Sequence, residues 1–313
     1  MELREIRELC EIVRANINHV IVGKEEVIDH LLIAMVAAGH VLLEDVPGVG
    51  KTTLAECFAR SIACSFGKLQ FTPDTLPGDV TGVSVYNMKS GEFEFRQGVV
   101  MNQILLADEI NRTSPKTQAS LLEAMAENQV TVDGVIYPLL QPFMVIATQN
   151  PIEYLGTYPL PEAQLDRFMM RLTIGYPVRE QEIRMAALHL QGKTSDKLQA
   201  VCDAEDVLSM REMAFHVTVK DSVLGYIEDM IALTREEKRF VTGASPRAML
   251  SLVRASQAKA FLDGRDFVRP DDVKSVAPQV LLHRLSLSSE ARIGKEDPAG
   301  ILKSLILKVR IPV

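Results

Sequence analysis

LEDVPGVGKTT, residues 43–53, is the stretch on which the reading of this chain turns. It matches the phosphate-loop pattern G-x-x-x-x-G-K-[ST] everywhere but at the first position, where Asp45 stands in place of glycine. Upstream, VLLE at 41–44 reads as a short buried strand, and downstream, TTLAECFARSIA at 52–63 reads as a helix. Strand, glycine loop and helix together turn backbone N–H groups inward and put a helix N-terminus behind a bound anion. Gly48 and Gly50 supply the tight turn and the close approach, with Pro47, Val49 and Thr53 completing the loop. Lys51 is placed to reach the β- and γ-phosphates and Thr52 to hold Mg2+. Asp45 lies at the start of the loop, outside its tightest arc. Aspartate tolerates unusual backbone angles, and its carboxylate must point away from the phosphates. The competing reading, a surface lysine in a glycine turn, does not account for the flanking strand and helix.

Four further apolar runs follow: KLQFT at 68–72, ILLAD at 104–108, FMVIATQNP at 143–151 and FMMRLTIGYP at 168–177. Apolar strands alternating with helical segments predict a parallel five-stranded sheet covered on both faces. Residues 2–16 and 21–38 read as leading helices, with Gly39 a natural stop. Ser114-Pro115 starts another, with Ser114 as N-cap and Leu121, Leu122 and Met125 packing inward. Two hairpins are expected. QVTVDGVIYPL at 129–139 turns at Asp133-Gly134, and VSVYNMKSGEFEFRQG at 83–98 turns at 89–92. Beyond Pro177 the pattern is helical, with no convincing strand run, and a polar stretch occupies 191–199. The expected organisation is an α/β nucleotide-binding domain at 1–178 and a smaller all-α domain at 179–313.

A phosphate cradle alone does not hydrolyse anything. ILLADEINR ends an apolar strand in Asp108, which can hold the Mg2+ water shell, and Glu109, which can orient the attacking water. Two acidic residues on a solvated loop are the plainer alternative, and the fully apolar run before them argues against it. Thr148-Gln149-Asn150 ends the next strand, where the Asn150 amide could reach the γ-phosphate or the water, or serve only as a turn residue before Pro151. Arg167, in LDRF, is either functional or a surface partner of Asp166 worth under about 1 kcal/mol. Arg247, in GASPRA, falls in the first turn of a second Ser-Pro-started helix. A cation there opposes the helix dipole, which points to a nearby anion.

The 313 residues are 47% apolar and 24% charged, too apolar for disorder. A net charge of −7 weighs against a general duplex-DNA binder and against nucleic acid as the partner. Cys10, Cys57, Cys64 and Cys202 form no C-x-x-C pair, so neither a zinc site nor a disulfide framework is expected. The longest apolar run, 31–38, is far short of a membrane span. A cytoplasmic protein is the expectation.

With these residues placed, the chain resembles the MoxR family of AAA+ ATPases along essentially its whole length. The resemblance is strongest in LEDVPGVGKTTLA, LLADEINRTSPKTQASLLEAMAE, IATQNPIEYLGTYPLPEAQLDRF and GASPRA. The family's loop often lacks the first glycine too. The resemblance implies that Lys51 and Thr52 belong to Walker A, Asp108 and Glu109 to Walker B, Asn150 to sensor 1 and Arg247 to sensor 2. Arg167 matches the arginine finger that reaches a neighbouring subunit's nucleotide, and Val22-Gly23 matches the segment near the adenine. The resemblance also implies ATP and Mg2+, a homo-oligomeric and usually hexameric ring, hairpins facing its pore, a protein client, and a partner carrying a von Willebrand factor A domain. Chaperone-like remodelling and metal-site maturation are the usual themes. A metal-chelatase ATPase subunit, a DNA-translocating ring helicase and a small-molecule kinase are the rival readings.

Overall fold

The computed structural model describes residues 3–150, 157–192 and 194–312. In chain order the first half contains α1 (Leu3–Ile17), α2 (Glu25–Val36), β1 (Val41–Glu44), α3 (Lys51–Ser61), β2 (Phe66–Gln70) and α4 (Pro77–Thr81). The hairpin strands β3 (Gly82–Asn87) and β4 (Glu92–Gln97) follow, then β5 (Ile104–Asp108), α5 (Pro115–Glu127), the hairpin β6 (Gln129–Val132) and β7 (Val135–Pro138), β8 (Met144–Gln149), α6 (Glu162–Leu165) and β9 (Met170–Leu172). The five main strands form one parallel sheet in the order β2-β5-β8-β1-β9. The strand before the glycine loop is therefore interior, and β5 lies on the far side of β8 from it.

Successive side chains of a strand point to opposite faces, and the two cores follow that rule. Val41, Leu43, Ile104, Leu106, Met144 and Ile146 pack with α1, α2 and α3. Leu42, Leu105, Ala107, Val145 and Ala147 pack with Leu121, Leu122 and Met125 of α5 on the other face. Fully apolar strands were needed because neither face meets water.

The second half contains α7 (Arg179–Leu190), α8 (Ala204–Phe215), α9 (Asp221–Glu236), β10 (Phe240–Thr242), α10 (Pro246–Leu262), α11 (Pro270–Leu281), β11 (Ser286–Leu287), α12 (Ser289–Ile293) and α13 (Pro298–Lys308). The expectation of an all-α region needs one correction. β10 and β11 pair as a short antiparallel ribbon, too brief to show a period-2 signal. α8, α9 and α11 pack around α10, which also lies against α2, and their apolar faces join the first core.

Most expected elements are present, with shifted ends. The second helix begins at Glu25, not 21, because Gly23 just before it takes a left-handed φ of 69°. KLQFT contributes a strand that starts two residues earlier, at Phe66. FMMRLTIGYP contributes only three strand residues. Residues 151–156, within the stretch after Asn150, lie outside the described residues.

Candidate nucleotide-hydrolysis site

At the end of β1 the chain turns through Gly48 (φ 85°) and Gly50 (φ 89°), left-handed values that side chains resist. A Cβ at either position would meet nothing within 4 Å, so the loop is open to a close-approaching group. Gly50 caps α3 without a side chain, leaving the first-turn N–H groups available to an anion. Beside the loop is a cavity of about 450 Å³, lined by Val22, Gly48, Val49, Gly50 and Thr53 with Lys24, Tyr176 and Met185 among others. Gly23 adjoins it, and a Cβ there would strike the Gln181 side chain. No residue of α10 is among those lining it.

Asp45 departs from the glycine of the pattern for a structural reason that differs from the expected tolerance of strained angles. Its φ is not left-handed. Its carboxylate is buried and turned away from the loop, as phosphate binding requires. One oxygen accepts from Val46 N at 2.8 Å, and the other accepts from Ile174 N at 2.7 Å and Gly175 N at 2.6 Å. Lys24 Nζ donates to the carbonyls of Ile174 (2.8 Å) and Gly175 (3.0 Å). The loop is thus pinned to the segment leaving the sheet.

Lys51 Nζ donates to Asp45 O at 2.6 Å, curled back along the loop. Burial pulls the Lys51 ammonium below the usual lysine value, while Asp45, Asp108 and Glu109 pull the other way. Thr52 and Asp108 face each other across one cation. Lys68 Nζ stands 3.2 Å from Thr52 Oγ1 and 3.6 Å from Asp108 Oδ2. A hydroxyl and a carboxylate that share a single positive group are a donor set suited to Mg2+.

The acidic pair is held firmly. Thr148 Oγ1 donates to Asp108 Oδ1 at 2.7 Å and accepts from Glu109 N at 2.9 Å. Glu109 has φ 57° and ψ 51°, a left-handed conformation that costs a non-glycine residue about 1–3 kcal/mol. Its Oε2 accepts from Gln70 Nε2 at 2.8 Å and pairs with Arg112 Nε at 3.0 Å. The role of Arg112, open in the sequence, begins with this pair. Gln149 is bound to Glu44 at 2.7 Å, and Asn150 is buried at the end of the same strand.

Lys51, Thr52, Asp108, Glu109 and Asn150 therefore gather at the C-terminal edge of the sheet, where parallel α/β folds bind ligands. Arg167 and Arg247 belong to another part of the molecule. Arg167 is half-buried, and its Nη1 donates to Leu122 O at 2.7 Å. Arg247 is exposed in the first turn of α10. Asp166 is not the partner that a surface pairing of Arg167 would require, since its carboxylate is taken by Arg284 Nε at 2.6 Å and by Ser245 Oγ at 3.1 Å. Sequence reading missed Lys68, Gln70 and Arg284. The first two alternate along one strand beside β5, with Gln70 in register with Asp108, a period-2 signal that was available. Arg284 offered none.

Comparison with known proteins agrees with this geometry. Residues 40–170 match the model of the ATPase family associated with various cellular activities (AAA), and residues 232–304 match an AAA lid domain. The chain is similar to YeaC of Bacillus subtilis, 48% identical over 95% of this chain and 93% of that protein. It is also similar to Chaperone MoxR1 of Mycobacterium tuberculosis, 38% identical over 95% of this chain and 80% of that protein. A crystal structure of a Cytophaga hutchinsonii protein superposes with a TM-score of 0.93 at 38% identity, covering 99% of this chain and 97% of that one.

Proposed function

Because the chain belongs to the MoxR family of AAA+ ATPases, we propose that it hydrolyses ATP at a site shared between copies and spends the energy on chaperone-like remodelling of a client protein. The observation that carries the reading is the convergence of Lys51, Thr52, Asp108 and Glu109 at one edge of the sheet, with the Lys68 ammonium contacting both Thr52 and Asp108.

The loop N–H groups and Lys51 hold the β- and γ-phosphates, which requires Lys51 to leave Asp45 O. Thr52 and Asp108 would hold Mg2+, which supplies charge neutralisation on the phosphates. Glu109 orients the attacking water once it gives up Gln70 and Arg112, and Asn150 adds an uncharged donor from the neighbouring strand. Val22 and Gly23 flank the base.

Arg167 supplies its charge to the next copy's phosphates, so a lone chain lacks one cation of its site. Arg247 begins a helix bound to the segment of Arg167 and absent from the lining of its own cavity, which supports its acting on the same neighbouring nucleotide. α7 supports assembly as well. It borders the cavity and leaves Ile183, Met185 and Leu190 exposed. A hexameric ring is the form we infer. The hairpins expose Tyr86, Met88, Phe93, Val135 and Ile136, apolar side chains suited to gripping a protein client in its pore. The partner we infer carries a von Willebrand factor A domain, with metal-site maturation as the process served. Among the described residues no helix is long and apolar enough to cross a membrane, and the cytoplasm is the compartment proposed.

Glu109→Gln tests the reading. It should bind ATP normally and stop turning it over, and the arrested form should retain its partners in a pulldown. Lys51→Ala should lose ATP binding. Normal hydrolysis by the first variant refutes the water-orienting role, and unchanged ATP affinity in the second refutes the loop assignment.

A further inference from the structure

The side chain of Arg284 is 3% exposed, yet it carries a full charge into the core. Its Nε donates to Asp166 Oδ1 at 2.6 Å, and Nη2 to Asp166 O at 3.2 Å and Phe168 O at 2.8 Å. Nη1 donates to Met169 O at 3.2 Å and to Val280 O, and Nη2 also reaches Ser251 Oγ at 3.4 Å. One guanidinium thus fixes the backbone on both sides of Arg167 and joins it to α10 and α11.

The remaining oxygen of the Asp166 carboxylate accepts from Ser245 Oγ at 3.1 Å. Ser245 is the N-cap of α10, accepting in turn from Ala248 N at 3.1 Å, and Arg247 lies two residues further on. The same segment is held elsewhere too. His283 Nε2 bonds Phe168 O at 3.0 Å, and Glu162 accepts from Thr242 of β10 and Ser286 of β11. Residues 162–169 are therefore stitched along their length to the helical region.

Stability alone gives little reason for this pair. Burying two charges is expensive, and well-packed apolar residues often serve as well or better. The charge of Arg247 also bears unfavourably on Arg284. A charged, forked clamp does fix direction in a way that an apolar contact does not.

The geometry points to Arg284 and Asp166 as positioning residues that lock Arg167 to the start of α10, so that Arg167 and Arg247 move as one unit. This rests on the proposed reading in which Arg167 serves a neighbouring copy. It goes further, because it makes movement of one chain's helical region reposition the cation that the chain lends to the next site.

The test uses an Asp166→Asn/Arg284→Met double variant, which removes both charges together and leaves no unpaired buried ion. Its assembly is checked beside the wild type. Its KM for ATP should stay within about twofold of wild type while kcat falls about tenfold to a hundredfold, as misplacement of a group by about 1 Å can do. Mixed with Glu109→Gln chains, which have dead sites but intact clamps, activity should rise above that of either chain alone. Arg167→Ala mixed with Glu109→Gln is run in parallel, with differently tagged copies to show that mixed assemblies form. A double variant with wild-type kcat overturns the positioning role. So does a double variant that stays silent on mixing while Arg167→Ala is rescued. If Arg167→Ala is not rescued in demonstrably mixed assemblies, the shared-site reading itself is overturned and the positioning role with it.

Discussion

The phosphate-loop edge and the Arg167–Arg247 junction would face the same nucleotide from opposite sides, and they are built in opposite ways. At the loop edge the chemistry comes from the backbone: two left-handed glycines, an open helix N-terminus, and side chains placed by strand ends on one edge of the sheet. At the junction it comes from side chains brought together over long stretches of chain, such as Asp166 with Ser245 and Arg284. The loop edge is completed within one chain. The junction presents cations that its own cavity does not use. A site divided as proposed would hydrolyse only when two copies meet, which would be a physical reason for the chain to assemble.

The comparison breaks most decisively at Arg167. Removing it should lower kcat by about 10³–10⁵ with ATP affinity retained, as read by steady-state turnover beside equilibrium binding. A loss of affinity instead would place Arg167 in the cradle of its own chain. The next largest effect is expected at Asp45. Restoring the glycine of the pattern, Asp45→Gly, should destabilise the protein by about 4 kcal/mol, because three N–H groups lose a charged acceptor. The denaturation midpoint measures this, and an unchanged midpoint would show that the tether to Ile174 and Gly175 is idle.

The strand that leads into the loop and the junction each rest on a buried neutral histidine, and pH sharpens the comparison. His40, immediately before β1 on the edge of the sheet opposite the loop, accepts from Val145 N through Nδ1 and donates to Met125 O through Nε2. Burial lowers its value from 6.5 to about 4. His283, at the junction, is lowered in the same direction by burial and by the charge of Arg284. The unfolded chain takes up these protons first as pH falls, so the stabilisation is complete above pH 6.5 and is lost on acidification toward 4. His40 alone should contribute on the order of 3 kcal/mol. Chemical denaturation at pH 7 and pH 5 would show the drop, and flat stability across that window would contradict it. The smallest effect should come from Ser114→Ala. Ser114 caps α5 through Thr117 N, and its loss should cost about 1 kcal/mol with KM and kcat unchanged.

What was legible in the sequence divides along the same line. The strand before the loop, the strand ending in Asp108 and the Ser114 cap could be read because a period or a cap is written in consecutive residues. Gly48, Gly50, Lys51, Thr52, Asp108 and Glu109 fall together because short turns leave the same edge of one parallel sheet, from β1 and from β5 two strands away. The grip of Gln70 and Arg112 on Glu109, the cation that Lys68 places between Thr52 and Asp108, and the Arg284 clamp depend on side-chain directions or on contacts more than a hundred residues apart. The alternation of Lys68 and Gln70 marks a shared strand face, but no local pattern names the groups that these side chains touch. Asp45 shows the limit within a motif: the departure from glycine was visible, but its reason lay about 130 residues away, at Ile174 and Gly175.

The most direct test of the shared site is ATP turnover per chain against chain concentration, with assembly state followed in the same samples. Turnover per chain should rise with the assembled fraction and be nearly absent from isolated chains. Equal turnover by chains shown to be isolated would contradict the shared site.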